Sequence, residues 1–168
     1  MRVGHIATIT MEVAEASTGR LLQQQSVVFL GEPGDKAVDR EEALAKPIGL
    51  NLDNYSRNVS DVLFSDVHSD ARNAVFVEVV ATDGAMTVQR KASLLEVATN
   101  GGMNPENVYF VSAFADRTAP AFRRLVSELA WGTFAWFRAE PEKLIAFREG
   151  EPAELSQLFS YCQTECKP

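Results

Sequence analysis

Residues 59–91 read VSDVLFSDVHSDARNAVFVEVVATDGAMTVQRK, and their interpretation decides the fold. DVLFSD and AVFVEVVAT are short, β-branched and aromatic runs, each of strand length. The polar stretch His68-Ser69-Asp70-Ala71-Arg72-Asn73 between them predicts an antiparallel hairpin with a loop slightly longer than minimal. AVFVEVVA is almost continuously apolar, the pattern of a strand covered on both faces. Glu78 interrupts that run. A carboxylate there is costly unless it is paired, protonated or bound to a cation. After the Thr82-Asp83-Gly84 turn, a helix is expected from about Thr87 to Thr99. Its Val88, Ala92, Leu95 and Ala98 fall on one side at helical spacing. On that wheel Lys91 lies within the apolar arc and Arg90 points away from it.

Outward from this core, SVVFLG at residues 26–31 predicts a strand, stopped by a turn at Glu32-Pro33-Gly34-Asp35. Asp39 can cap a helix through Glu41, Glu42 and Leu44 that Pro47 and Gly49 end. Downstream, Asn100-Gly101-Gly102 stops the central helix and NVYFVSAF predicts another buried strand. Thr118 and Pro120 open a helix with a core stripe of Phe122, Leu125, Val126 and Leu129. TFAWF is a final clear strand, Pro141-Glu142-Lys143 a turn or short helix, and LIAF a short edge strand. Before residue 26, HIATITMEV reads as a strand or MEVAEAS as a short helix. The expected organisation is an N-terminal extension at 1–26, an α/β (α+β) domain at 27–148 and a tail at 149–168. Its sheet is expected to be mixed, with about five strands flanked by helices.

The 168 residues are 46% apolar and 23% charged, enough for one ordinary globular core. No segment reaches the apolar length of a membrane span and the amino terminus lacks a signal-peptide layout, so a cytoplasmic protein is expected. Cys162 and Cys166 read as reduced, unligated thiols; with only His5 and His68 besides, a zinc site has too few ligands. The net charge of −7 argues against a general nucleic-acid coat, whose affinity comes from Lys and Arg on phosphates. It leaves room for carboxylates that hold a cation.

Asp61 at a strand start and Glu78 on the next strand, followed by the basic pair Arg90 and Lys91, suit phosphodiester hydrolysis. That chemistry needs an activated water, stabilised phosphorane-like oxygens and help for the leaving oxygen. Magnesium, or manganese in its place, supplies these when carboxylates hold it with positions left open. The carbonyl of Val79 offers a third ligand, and a nearby basic side chain can orient the water.

The hairpin resembles the PD-(D/E)xK nuclease core, with Ser60-Asp61 where that motif has Pro-Asp and Glu78 as its acidic residue. More specifically, VVFLGEPGDK, EEALAKPIGL, SDVLFSD, VFVEVVATDG followed by QRK, YFVSAFADR and LAWGTFAWFRAEPEKLIAF resemble PstI/BsuBI-type restriction endonucleases, in family order from about Val27 to Phe147. The resemblance implies a restriction-endonuclease-like fold and magnesium-dependent cleavage of double-stranded DNA. It further implies a homodimer, because cutting both strands takes two sites. Glu42 matches the acidic residue that such nucleases add from the first helix. Position 80 is Val, so the motif lysine two residues after the acidic residue is absent. Lys91 is the candidate replacement and Arg90 its backup. The residues before position 27 are fewer than the helical DNA-reading region of the resembling enzymes, so DNA reading is expected from a partner subunit or from loops, or is missing here.

Each residue also has a plainer account. Asp61 alone would be a strand-start residue, Glu42 a helix-dipole partner, and Lys91 a snorkelling surface lysine. Asp83 reads as a turn residue, His68 as solvated, and Arg117, Arg123 and Arg124 as a solvated face. Trp131, Trp136 and Phe137 are expected in the core. The functional expectation is a DNA endonuclease of restriction or phage-defence type. Its rivals are a nuclease subunit that takes its DNA recognition from another chain, and a decayed nuclease fold serving as a binding or scaffold protein.

Overall fold

The computed structural model describes residues 26–32, 35–40, 60–65, 73–81 and 84–148. The expectations for residues 1–25, the helix and Glu42 at 41–59, His68, Asp83, Cys162, Cys166 and the tail lie outside the described residues. The strands are β1 (Ser26–Glu32), β2 (Asp35–Arg40), β3 (Val62–Ser65), β4 (Ala74–Val79), β5 (Val108–Phe114), β6 (Thr133–Phe137) and β7 (Leu144–Phe147). Helix α1 (Val88–Asn100) connects β4 to β5. Helix α2 (Pro120–Leu125), prolonged by the 3-10 turn Val126–Glu128, connects β5 to β6.

These strands form one mixed sheet in the order β2-β1-β3-β4-β5-β6-β7. β4, β5 and β6 run parallel, each joined to the next through a helix, whereas the remaining pairs are antiparallel. The five strands expected from the sequence are the centre of this sheet, and LIAF is indeed its edge. The addition is β2. Asp39, expected to cap a helix, instead pairs with Leu30 across the β1–β2 hairpin.

Alternation along the strands sorts the core into two faces. On one, Leu63, Phe76, Phe110 and Val108 pack with Leu94 and Ala98 of α1. Farther along that face, Val80, Phe114, Ala135 and Phe137 pack with Leu125 and Leu129 around α2. Phe122 meets Phe114 and Phe137 edge-on, with centroids 5.1 and 4.9 Å away. The opposite face carries Val62, Phe64, Val77, Val79, Val111, Ala113 and Trp136. Val126 and Trp131 depart from the core expectation: they are 37% and 65% exposed. Val126 falls where α2 tightens to a 3-10 turn, which changes the facing of residues after Leu125.

Local signals explain where α1 begins and ends. Thr87 caps it, its hydroxyl accepting the Arg90 N–H at 3.3 Å. At the other end the Gly102 N–H donates to Thr99 O at 2.9 Å and the Met103 N–H to Ala98 O at 3.1 Å. That pair of bonds is a Schellman closure, with Gly102 at φ +85° and Met103 and Ala98 in the same core cluster. Nothing lies within 4 Å of a Cβ built on Gly102, so any penalty there is conformational. Gly102→Ala is therefore expected to cost about 1–2 kcal/mol. Thermal unfolding should show a Tm lower by a few degrees with activity unchanged. Before α2, Thr118 donates to Asp116 Oδ1 from both its hydroxyl and its N–H, at 2.6 Å each. The hydroxyl bond, then the backbone one, holds the Asp116 carboxyl below the ordinary carboxylate range.

Candidate active site

On the helix-covered face, β4 presents Ala74, Phe76, Glu78 in turn, and Val80 follows just beyond the strand. Phe76 belongs to the cluster under α1 and Val80 to the cluster under α2. Glu78 is the charged break between them, and only 6% exposed. Its parallel neighbour on β5 is Ser112, also fully buried. The Ser112 hydroxyl accepts the Met86 N–H at 2.9 Å, which ties the loop ahead of α1 to the sheet. In the sequence alone, Ser112 is a serine in a strand and announces nothing until the register sets it beside Glu78.

Asp61 sits just before β3. The β3–β4 register pairs Val62 with Val77, so its continuation by one residue sets Asp61 across from Glu78. Beyond the ladder, Asp61 Oδ2 accepts the Val79 N–H at 2.8 Å. The carboxylate thereby satisfies a backbone donor at the strand end and is anchored next to Glu78. Sequence spacing brought these two residues to adjacent strands; the register makes them neighbours.

The basic pair falls the other way round from the helical wheel. Arg90 reaches Glu78: Nε donates to Oε1 at 2.8 Å, and Nη2 lies 2.6 Å from the same oxygen. Lys91 instead donates from Nζ to the Trp131 carbonyl at 2.8 Å, at the surface. The correction follows from the buried stripe. In α1 the buried residues are Leu94 and Ala98, four and eight positions beyond Arg90, while Val88 is 63% exposed and Ala92 is also exposed. The sheet-facing arc is centred about one position away from the arc counted on the sequence, and Arg90 lies on it. The buried carboxylate then has a counter-charge within hydrogen-bond reach, as its burial requires.

Asp61, Glu78 and the Val79 backbone are hard oxygen donors, the chemistry that suits magnesium or manganese. Among the described residues no group of three or more His, Cys, Asp or Glu side chains could hold a metal ion. Two carboxylates still match the habit of magnesium, which is commonly held by one or two carboxylates plus waters and substrate phosphates. The donor set fits, with one qualification of geometry: Arg90 already occupies Glu78 Oε1.

A mixed sheet with an Asp and a Glu facing each other across its β3–β4 hairpin, under a helix that supplies a base, defines a restriction-endonuclease-like fold. The solved structure of the SdaI restriction endonuclease matches it with a TM-score of 0.69 at 22% identity, over 88% of this chain and 44% of that one. The BsuBI/PstI restriction endonuclease domain model matches residues 1–150, and the chain belongs to that family. Among curated proteins, it is 27% identical over 107 residues to the type II restriction enzyme AplI of Arthrospira platensis, covering 64% of this chain and 32% of that enzyme. It is 22% identical over 144 residues to the type II restriction enzyme BsuBI of Bacillus subtilis, covering 86% and 43% respectively. The chain thus spans less than half the length of the relatives it matches. No helix among the described residues is long and apolar enough to cross a membrane.

Proposed function

We propose that this chain carries the catalytic centre of a type II restriction-like endonuclease that hydrolyses phosphodiester bonds of double-stranded DNA with magnesium, or manganese in its place. The observation that carries this reading is the facing of Asp61 and buried Glu78 across the β3–β4 hairpin, in a chain of the BsuBI/PstI family. In this reading Asp61 and Glu78 hold the metal, with the Val79 carbonyl and Glu42 as further ligands. A bound divalent ion there would polarise the phosphate and lower the pKa of a coordinated water. Arg90, beside Glu78, stabilises charge on the phosphate oxygens, and Lys91 stands farther out at the surface. The active form is a homodimer, or a complex with a DNA-recognition subunit, so that two sites meet the two strands.

Incubation of the purified protein with plasmid and phage DNA tests this directly. Cleavage is expected with magnesium or manganese and should stop on chelation. DNA left intact under every condition, including with neighbouring gene products added, would remove the proposal.

The Arg90–Glu78 ion pair also favours a second reading, a decayed nuclease fold that serves as a binding or scaffold protein. There Glu78 is satisfied by its ion pair with Arg90 and needs no divalent cation. Calorimetry separates the two, because a structural Glu78 predicts no heat on titration with manganese.

A further inference from the structure

We infer that Arg90 is a place-holding cation for the metal site, and that Glu78 takes up a divalent ion only as the guanidinium lets go of it. The inference rests on the metal-dependent reading above and adds a coupling to it. Two contacts of the guanidinium, 2.8 Å from Nε and 2.6 Å from Nη2, converge on Glu78 Oε1. A cation that close to a ligand oxygen repels a divalent ion approaching the same carboxylate. Asp61 cannot replace Arg90 as the counter-charge of Glu78, because it is itself an anion, anchored by the Val79 N–H on its Oδ2. Glu78 is 8% exposed as a side chain and so needs a counter-charge at all times.

Arg90 is built to leave. Its side chain is 21% exposed, more than twice that of its partner, and it hangs from the first turn of α1, whose cap at Thr87 stays in place without it. Released, the guanidinium stays charged and remains beside the site on its helix, where a planar fork of donors suits a phosphate. The site then exchanges one charge partner for another and never leaves the buried carboxylate bare. Removing the arginine takes away the competitor at Oε1, and that change favours cation binding.

The test is calorimetric titration of manganese and magnesium into the wild-type protein and into Arg90→Gln at pH 8.5, without DNA. Arg90→Gln is expected to bind manganese about tenfold more tightly, the scale of one partly exposed ion pair. Arg90→Lys should return the affinity to near wild type, because the competing charge is restored. Arg90→Met, which keeps an apolar stem of similar length over the sheet, replaces the glutamine variant if that one folds poorly. In the wild-type protein, the Arg90 Nε–H resonance should move on metal addition as the ion pair opens. Unchanged or weaker binding in Arg90→Gln and Arg90→Met, or an Nε–H resonance indifferent to saturating metal, would overturn the coupling while leaving the metal site standing. Absence of binding in every form, Asp61 and Glu78 intact, overturns the metal-dependent reading and this inference together.

Discussion

Glu78→Gln is expected to abolish metal-stimulated DNA cleavage, by at least about a thousandfold, while the protein stays folded. The magnitude follows from what is removed: metal assistance in phosphodiester hydrolysis is worth several kcal/mol, and each 1.36 kcal/mol is tenfold in rate. Glutamine keeps the side-chain volume between the two helix-side clusters and keeps an oxygen to accept from Arg90. What it loses is charge. The Arg90 guanidinium, 21% exposed, then faces a neutral amide with water within reach. We expect a stability cost of about 1–3 kcal/mol, below the 3–5 kcal/mol of a fully buried pair broken on one side. A cleavage assay under single-turnover conditions, alongside urea unfolding, reads both quantities. Activity within tenfold of wild type would show that Glu78 serves only the ion pair.

Asp61 separates structure from chemistry through two substitutions. Its Oδ2 accepts the Val79 N–H at 2.8 Å, so alanine deletes both a metal ligand and the partner of a backbone donor. Asparagine keeps an acceptor in the same place and deletes only the charge. Both variants are expected to lose cleavage by about a thousandfold or more. Only Asp61→Ala should also lose stability, by about 1–2 kcal/mol, because Asp61 is half-buried and the orphaned N–H regains some water. Thermal unfolding and manganese titration of the pair make the comparison. An Asp61→Asn protein that still cleaves would remove Asp61 from the metal site and leave it as the cap of the β4 strand end.

The parts of the fold that were legible in the sequence are those set by local chemistry. AVFVEV had to be a covered strand because six nearly continuous apolar positions leave no wet face. The end of α1 was legible because Asn100-Gly101-Gly102 is a stop signal written in backbone preference, and its start fell within one residue, Thr87 being the cap and Val88 the first helical residue. β2 was not legible. Four of the six residues of DKAVDR are charged, and Pro33-Gly34 before it reads equally well as the end of a strand. Its strand character comes from backbone pairing with β1, which no side chain in it announces. Trp131 was misplaced for a related reason: its size argues for burial, but it sits in a turn next to Gly132 at φ +72°, 65% exposed.

The same division runs through the site. The sequence by itself determined that Asp61 leads into one strand and Glu78 lies on the next, and that a charge within β4 must be met by another charge. It also carried the family, through blocks spread over most of the chain. Which base meets Glu78 was decided only by the tertiary structure. A helical wheel ranks Arg90 and Lys91 by the apolar residues around them, and a rotation of one position reverses the ranking. Packing of Leu94 and Ala98 against Phe76 and Phe110 fixes that rotation, aims Arg90 at the carboxylate, and leaves Lys91 to the Trp131 carbonyl. The physical reason is that helix rotation is a property of the interface between α1 and the sheet, and half of that interface is far away in sequence.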